Sequence, residues 1–456
     1  MAEPVAQHPG PAVTPHPGPV AQRPGAAELR ALTDTCVHCG FCLPACPTYQ
    51  LWGEEMDSPR GRIHLLRQLL DGAPLTPGVV RHFDACLGCL ACVPACPSGV
   101  RYDEIIEETR VIVEESAPRG LAERALRAGV FALFPYPRRM RALRGPLRLA
   151  RRLGLVDAGA RLPGGLGAMA ALAPPLERPV RLPARVRARP GGRPGPARAV
   201  VGLLTGCVQS AFFSHVSAAT ARVLALEGCD VVVPRGQGCC GALARHAGRD
   251  ALARRQARRT VAAFARAGVD AVVTDVAGCG SMLKEYGALL AGDPKWSEPA
   301  QALAAKARDV TEVLADLSPL APRHPVPLTV VYHDACHLAH GQGVRTQPRS
   351  LLAGIPQLRV LSPVDAETCC GSAGVYNLFQ PQTAAELGDR KAAALLATGA
   401  DVVAAGNPGC VLQIAAALRR AGTDPPPTVV HTVQLLDASL RPGTGLSAGT
   451  VSLATP

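Results

Sequence analysis

From Arg198 onward, short unbroken runs of Val, Leu and Ala alternate with longer stretches in which apolar residues recur every three or four positions. Short runs of this kind predict buried strands, the longer stretches predict helices, and their alternation predicts parallel α/β architecture. The pattern occurs twice. The first copy opens with AVVGLLTGC ending at Cys207, then has an Ala-rich helix, the strand DVVVP, a helix over 249–267 and the strand DAVVT. The second opens with LTVVYHDAC ending at Cys336, passes a helix near 383–398 and reaches the strand ADVVAAG. Before Arg198 the periodicity is helical alone. Pro59 to Leu70 places Ile63, Leu66, Leu69 and Leu70 on one face, and Tyr102 to Glu115 sets Ile105, Ile106, Val111 and Val113 among glutamates. A shorter helical pattern covers Ala26 to Thr35. Leu121 to Leu155 predicts amphipathic helices broken near Pro135, Pro137 and Pro146, and RLPARVRARPGGRPGPAR after it reads as an extended linker.

These patterns divide the chain into a disordered tail over 1–25, an α-helical domain over 26–117, a connector over 118–199, α/β units over 200–320 and 321–440, and a C-terminal tail over 441–456. His8 and His16 fall in the first tail and read as solvated. Across 456 residues the hydrophobic share is 48%, enough for sizeable cores, yet no uninterrupted apolar run reaches the ~18 residues of a membrane span.

Charge is local. Residues 118–199 carry eighteen arginines against three acidic residues, so the net charge of +12 belongs to the connector and the remainder is slightly acidic. Those arginines suit anionic lipid or an acidic partner surface, or are simply solvated. Aromatics are 4% and no RNA-recognition or helix-turn-helix signature accompanies the basic residues, which argues against nucleic acid.

Cysteine adds the chemistry. CVHCGFCLPACP carries Cys36, Cys39, Cys42 and Cys46, and CLGCLACVPACP carries Cys86, Cys89, Cys92 and Cys96. Both read C-x2-C-x2-C-x3-C-P, the run that holds [4Fe–4S] clusters in two-cluster bacterial ferredoxins, where the fourth thiolate comes from the other run. The expected ligand sets are Cys36, Cys39, Cys42 and Cys96 for one cluster, and Cys86, Cys89, Cys92 and Cys46 for the other. Disulfides would need an oxidising compartment, and the N-terminus has no signal-like apolar run, so reduced thiols in the cytoplasm are expected. Structural zinc takes separated C-x2-C pairs and leaves the third cysteine of each run surplus.

The α/β units repeat a second cysteine pattern. Cys207, Cys239, Cys240 and Cys279 in the first correspond to Cys336, Cys369, Cys370 and Cys410 in the second, with steps of 32 and 33 and of 39 and 40 residues. These eight are candidates for a further cluster, a metal or a redox dithiol; the alternative is burial as small hydrophobes. His333, Asp334, His337 and His340 surround Cys336, able to shuttle protons, to tune it or merely to hydrogen-bond the loop. Cys229 lies outside the pattern and reads as core.

Taken together, the chain resembles the iron–sulfur subunits of bacterial glycolate oxidase. Relatives are the CCG-domain proteins of lactate utilisation, anaerobic glycerol-3-phosphate dehydrogenase and heterodisulfide reductase. The resemblance rests on CVHCGFC with CPTYQL, SPRGRIHLL, CPSGVRY, GCCGA, GCGSMLKEYG and CCGSAGVYNL. It implies a multidomain protein, an α-helical ferredoxin-like domain with two [4Fe–4S] clusters followed by a duplicated α/β CCG pair. It further implies an electron-transfer subunit of an oxidoreductase with no catalytic residue of its own. Flavoprotein partner subunits would oxidise glycolate to glyoxylate, and a quinone acceptor would lie at the cytoplasmic face of the membrane. The alternatives are a lactate or glycerol-3-phosphate dehydrogenase subunit, or a heterodisulfide-reductase-like enzyme acting at a CCG unit. One departure concerns the latter: where that branch ends each unit in C-x-x-C, this chain has Met282 and Gln413.

Overall fold

The computed structural model describes residues 20–441, and the expectations for His8, His16 and most of both tails lie outside them. Val20–Gln22, placed by the sequence in the first tail, is a short 3-10 helix with Val20 buried.

The N-terminal lobe is helical. Its helices Ala26–Asp34, Pro59–Leu70, Pro77–Ala85 and Tyr102–Ser116 meet around Ile63, Leu66, Leu69, Phe83 and Ile106, all nearly fully buried. Proline starts two of them where no backbone donor is needed, after the caps Ser58 and Thr76, whose hydroxyls accept from Gly61 N and Val79 N.

Nine strands build the rest: β1 (Arg185–Val186), β2 (Ala199–Leu204), β3 (Cys229–Val232), β4 (Ala271–Thr274), β5 (Ala307–Asp309), β6 (Thr329–His333), β7 (Arg359–Leu361), β8 (Val402–Ala405) and β9 (Thr428–His431). The first sheet has the order β1-β3-β2-β4-β5 and the second β7-β6-β8-β9; all neighbours are parallel except β1 against β3. The chain therefore reverses its direction of winding between β2 and β4, and again between β6 and β8. In such sheets a crevice opens beyond the carboxyl ends of that strand pair. One core spans both units, from Val201 and Leu203 through Val330 and Tyr332 to Leu435. Arg222 clamps the join, its guanidinium donating to both carboxylate oxygens of Asp437 at 3.0 and 2.8 Å.

The connector differs in part from its sequence reading. Helices Leu121–Leu133, Pro137–Ala142, Arg144–Arg152, Leu155–Gly159 and Gly164–Ala171 follow the amphipathic pattern, and Pro146 sits inside the first turn of its helix, where proline is tolerated. The stretch read as an extended linker is docked at β1. There Asp230 accepts from Ala188 N at 2.6 Å and from Arg185 and Arg187, which a periodicity argument cannot see. Arg127 and Arg144 are buried; Arg144 donates to Ala211 O at 2.7 Å. Some of the connector's charge therefore secures packing.

Candidate metal centres

Both cysteine runs of the lobe turn in the same way. His38 and Gly40 flank Cys39 with φ of 54° and 88°, and Gly88 and Leu90 flank Cys89 with φ of 64° and 63°. Left-handed backbone on each side of the middle cysteine curls the run inward, and at Leu90 it costs about 1–2 kcal/mol. Strain of that size persists where a site requires the turn.

The curled runs border two small hollows. Cys36, Cys39, Cys42 and Cys96 line the first, and Cys46, Cys86, Cys89 and Cys92 line the second; Cys92 also borders the first. The fold thus brings the last cysteine of each run to the other. All are free thiols. Five cysteines on the first hollow and four on the second, with no competing carboxylate lining either, suit an iron–sulfur group.

The second hollow is electrostatically prepared. Arg62, fully buried, donates to His82 O at 2.6 Å, to Thr48 Oγ1 at 3.1 Å and to Asp57 at 3.3 Å, with its Nη1 4.0 Å from Cys46 Sγ. Burial alone would raise the Cys86 thiol, but Arg62, Arg110, Gly88 N–H and Tyr102 outweigh it and hold it below its ordinary value. Burial pushes Cys89 and Cys92 well up, so metal binding there must release protons. Sequence reading missed Arg62, Arg110 and Tyr102. All three lie within strings quoted for the resemblance or on the helix Tyr102–Ser116, but no spacing distinguishes a buried arginine from an exposed one.

The first hollow faces outward. Cys39 is exposed, and beside it Val37 and Phe41 are 68% and 66% exposed. The second faces inward. Cys89 shares an apolar cluster with Cys336, Cys369 and Tyr376 of the second α/β unit, and Tyr376 Oη donates to Ala85 O at 3.1 Å.

All eight cysteines of the α/β pair line one cavity of about 490 Å³. Its position follows from topology: Cys207 and Cys279 lie past the carboxyl ends of β2 and β4, and Cys336 and Cys410 past those of β6 and β8. Connector side chains Leu133, Phe134, Met140, Leu147 and Leu172 roof it. In the first unit Cys207 Sγ lies 3.5 Å from Cys239 Sγ, and Cys240 Sγ 3.2 Å from Cys279 Sγ. The glycine after each pair permits a close approach. At Gly371, with φ 85°, a Cβ would stand 2.6 Å from Ala384 O.

Met282 and Gln413 take no part in lining the cavity. Met282 is core, while Gln413 Nε2 donates to Ala384 O at 2.7 Å and its Oε1 accepts from Asn377 at 3.1 Å. Of the residues around Cys336, His337 Nδ1 lies 3.5 Å from its sulfur, Asp334 is held by Arg349 and His340 Nε2 meets Glu367 O at 3.2 Å. His333 faces elsewhere, toward Cys370 and Cys410. Cys229 opens β3 as fully buried core.

Comparison with known proteins matches residues 33–100 to the family "4Fe-4S dicluster domain", residues 201–284 and 330–415 to "Cysteine-rich domain", and residues 122–173 to "Glycolate oxidase iron-sulfur subunit, linker region". The chain is 38% identical over 413 residues to the probable glycolate oxidase iron–sulfur subunit of Bacillus subtilis, covering 88% of this chain and 92% of that one. It is 35% identical over 430 residues to the glycolate oxidase iron–sulfur subunit of Escherichia coli, covering 92% and 97%. Lactate utilization protein A of Oceanobacillus iheyensis is 30% identical over 244 residues, 53% of this chain and 98% of that one. Among solved structures, a hypothetical protein from Helicobacter pylori shares the fold at a TM-score of 0.53 and 8% identity, over 91% of this chain and 72% of that one.

Proposed function

The chain belongs to the family of glycolate oxidase iron–sulfur subunits, and from that premise we propose that it conducts electrons from a glycolate-oxidising flavoprotein to a lipophilic quinone. It is an iron–sulfur protein and an electron-transfer subunit of an oxidoreductase complex. In the proposed assignment Cys36, Cys39, Cys42 and Cys96 hold one [4Fe–4S] group, and Cys86, Cys89, Cys92 and Cys46 hold the second. Groups bound there supply one-electron carriers.

The observation that carries this reading is the line of thiols from the surface to the interior. Exposed Cys39 begins it, Cys92 borders both hollows, and Cys89 meets Cys336 and Cys369 at the edge of the eight-cysteine cavity. Val37 and Phe41 offer the flavoprotein an apolar contact at the outer end. Arg62 and Arg110 supply positive charge beside Cys86, and the lobe's apolar core keeps water from the inner hollow.

At the far end, the cavity's apolar roof belongs to a segment suited to a lipid surface. Leu149, Leu153, Leu155, Leu162 and Leu166 are exposed there among Arg148, Arg151, Arg152 and Arg161. Apolar side chains ringed by arginine fit the headgroup boundary of anionic lipid, and no helix among the described residues is long and apolar enough to cross a membrane. A quinone reaching the cavity from that boundary would arrive beside the thiols.

Anaerobic assay of the flavoprotein subunits with glycolate and a soluble quinone tests the reading. Adding this chain should restore quinone reduction, while Cys36→Ser and Cys86→Ser should each lower it and remove one component of the reduced EPR spectrum. Glycolate oxidation by the isolated chain, or unchanged spectra in both variants, would refute it.

A further inference from the structure

We propose that the second α/β unit holds a single thiophilic divalent cation of the zinc class between His333, Cys370 and Cys410. The ligand atoms of these three buried residues lie within 4.8 Å of one another. Zinc bonds of about 2.3 Å to sulfur and 2.0–2.1 Å to nitrogen put tetrahedral ligand atoms roughly 3.5–4 Å apart, so the site closes on an ion with small rotamer shifts.

A second observation points to a ligand. His333 is 1% exposed, and neither of its ring nitrogens has a hydrogen-bond partner. A neutral imidazole always carries one N–H and one lone pair, and a buried one ordinarily finds partners for them. Here the lone pair has two thiols in front of it, and coordination to a shared ion satisfies it.

The first unit supplies the control. His333 ends β6 three residues before Cys336, and its structural counterpart, Leu204, ends β2 three residues before Cys207. Both pair with the strand that leads to the last cysteine, Leu204 with Thr274 and His333 with Ala405. The thiols are present in both units, and only the second places an imidazole at this strand end.

The neighbouring Cys410 and burial hold the Cys370 thiol protonated in the absence of an ion, and two groups beside the pair offset part of that. Lys391, buried, donates to the carbonyls of Asp365 and Ala366 at 2.8 and 3.2 Å and sets a positive charge near Cys369 and Cys370. Asn407 Nδ2 donates to Cys410 Sγ at 3.6 Å, an outer contact that orients this sulfur. Cys369 turns to Cys336 instead. Binding releases two thiol protons, and the ion with two thiolates and a neutral imidazole is uncharged. Three protein ligands leave one tetrahedral position, and because Cys370 and Cys410 line the cavity, that position faces it.

The test uses the full chain with its iron–sulfur groups, purified anaerobically and equilibrated with Zn²⁺, then desalted. Metal analysis should find about one zinc beside about eight irons, with X-ray absorption showing two sulfurs and one imidazole. His333→Leu, which copies the first unit, should lose that zinc with iron unchanged, since removing an inner ligand lowers affinity by more than the roughly 10–100-fold of an outer partner. His333→Cys should keep the zinc with three sulfurs. The iron content reports the fold in each variant. Zinc retained in His333→Leu, no zinc in the parent, or iron and sulfide above eight that vanish with His333 would each overturn the proposal, the last in favour of a further cluster.

Discussion

The two α/β units carry the same four cysteines at the same strand ends, yet their surroundings differ in two ways. At the strand ends behind the cavity, the first unit has Leu204 where the second has His333, and Tyr286 of the first donates its hydroxyl to Cys240 O at 2.6 Å. Toward the lobe, the first unit is held by charge: Arg245 pairs with Glu107 at 2.7 Å and Glu108 at 2.8 Å, His246 Nδ1 meets Glu107 at 3.1 Å, and Arg249 reaches Glu114 at 3.1 Å. The second is held by the apolar cluster around Cys89, Cys336 and Tyr376. Duplication kept the sulfur positions because the sheet topology sets them. The contact on the proposed electron path is apolar, whereas the first unit's contact with the lobe is made of ion pairs.

If charge holds the first contact, Arg245→Ala has the largest effect. It leaves Glu107 largely buried with His246 as its remaining partner, while half-exposed Glu108 returns to water, and should cost about 3 kcal/mol in denaturant unfolding. A loss below about 1 kcal/mol would mean that the apolar contact alone docks the lobe. Tyr286→Phe leaves the fully buried Cys240 carbonyl without its donor and should cost about 2 kcal/mol, with iron content unchanged.

Acidity tests the same interface from both sides. Glu107 is opposed by burial, but His246 and Arg245 hold its carboxyl at about 2. Its contribution is present above the ordinary value of 4.5 and is lost as pH falls toward 2. Glu285 is the reverse: burial, and then the charge of Glu107, push it up to about 8. Its neutral form suits the fold, so stability falls as pH rises from 4.5 through 8. Glu285→Gln should therefore melt a few degrees above the parent at pH 9 and level with it near pH 5; equal melting at both would remove Glu285 from the interface. Tyr376→Phe gives the smallest effect, about 1 kcal/mol, and should leave the salt dependence of unfolding untouched. An altered salt dependence would show the second contact to be polar as well.

Much of this was legible in the residues. Ile63, Leu66, Leu69 and Leu70 are the buried face of their helix, as their spacing requires, and the apolar runs at β2, β6 and β8 are buried strands. Connector helices were legible; their role as roof over a cavity was not, because amphipathicity states that a face is covered without saying by what. The glutamates of Tyr102–Ser116 read as a polar face, and only the fold sets Arg245 and Arg249 opposite them. His333 was visible as one of four polar residues around Cys336. That it lacks any hydrogen-bond partner and faces the other two thiols could not be read from a string.

The sequence by itself determined the period of each element, the curl of each cysteine run and the duplication, because these depend on backbone geometry over a few residues or on matched intervals. Only the tertiary structure decided that Cys92 borders both hollows, that Cys89 meets Cys336 and that eight cysteines from two units share one cavity. Those meetings join residues up to hundreds of positions apart, and which of them form depends on the packing of whole units, which local spacing does not encode.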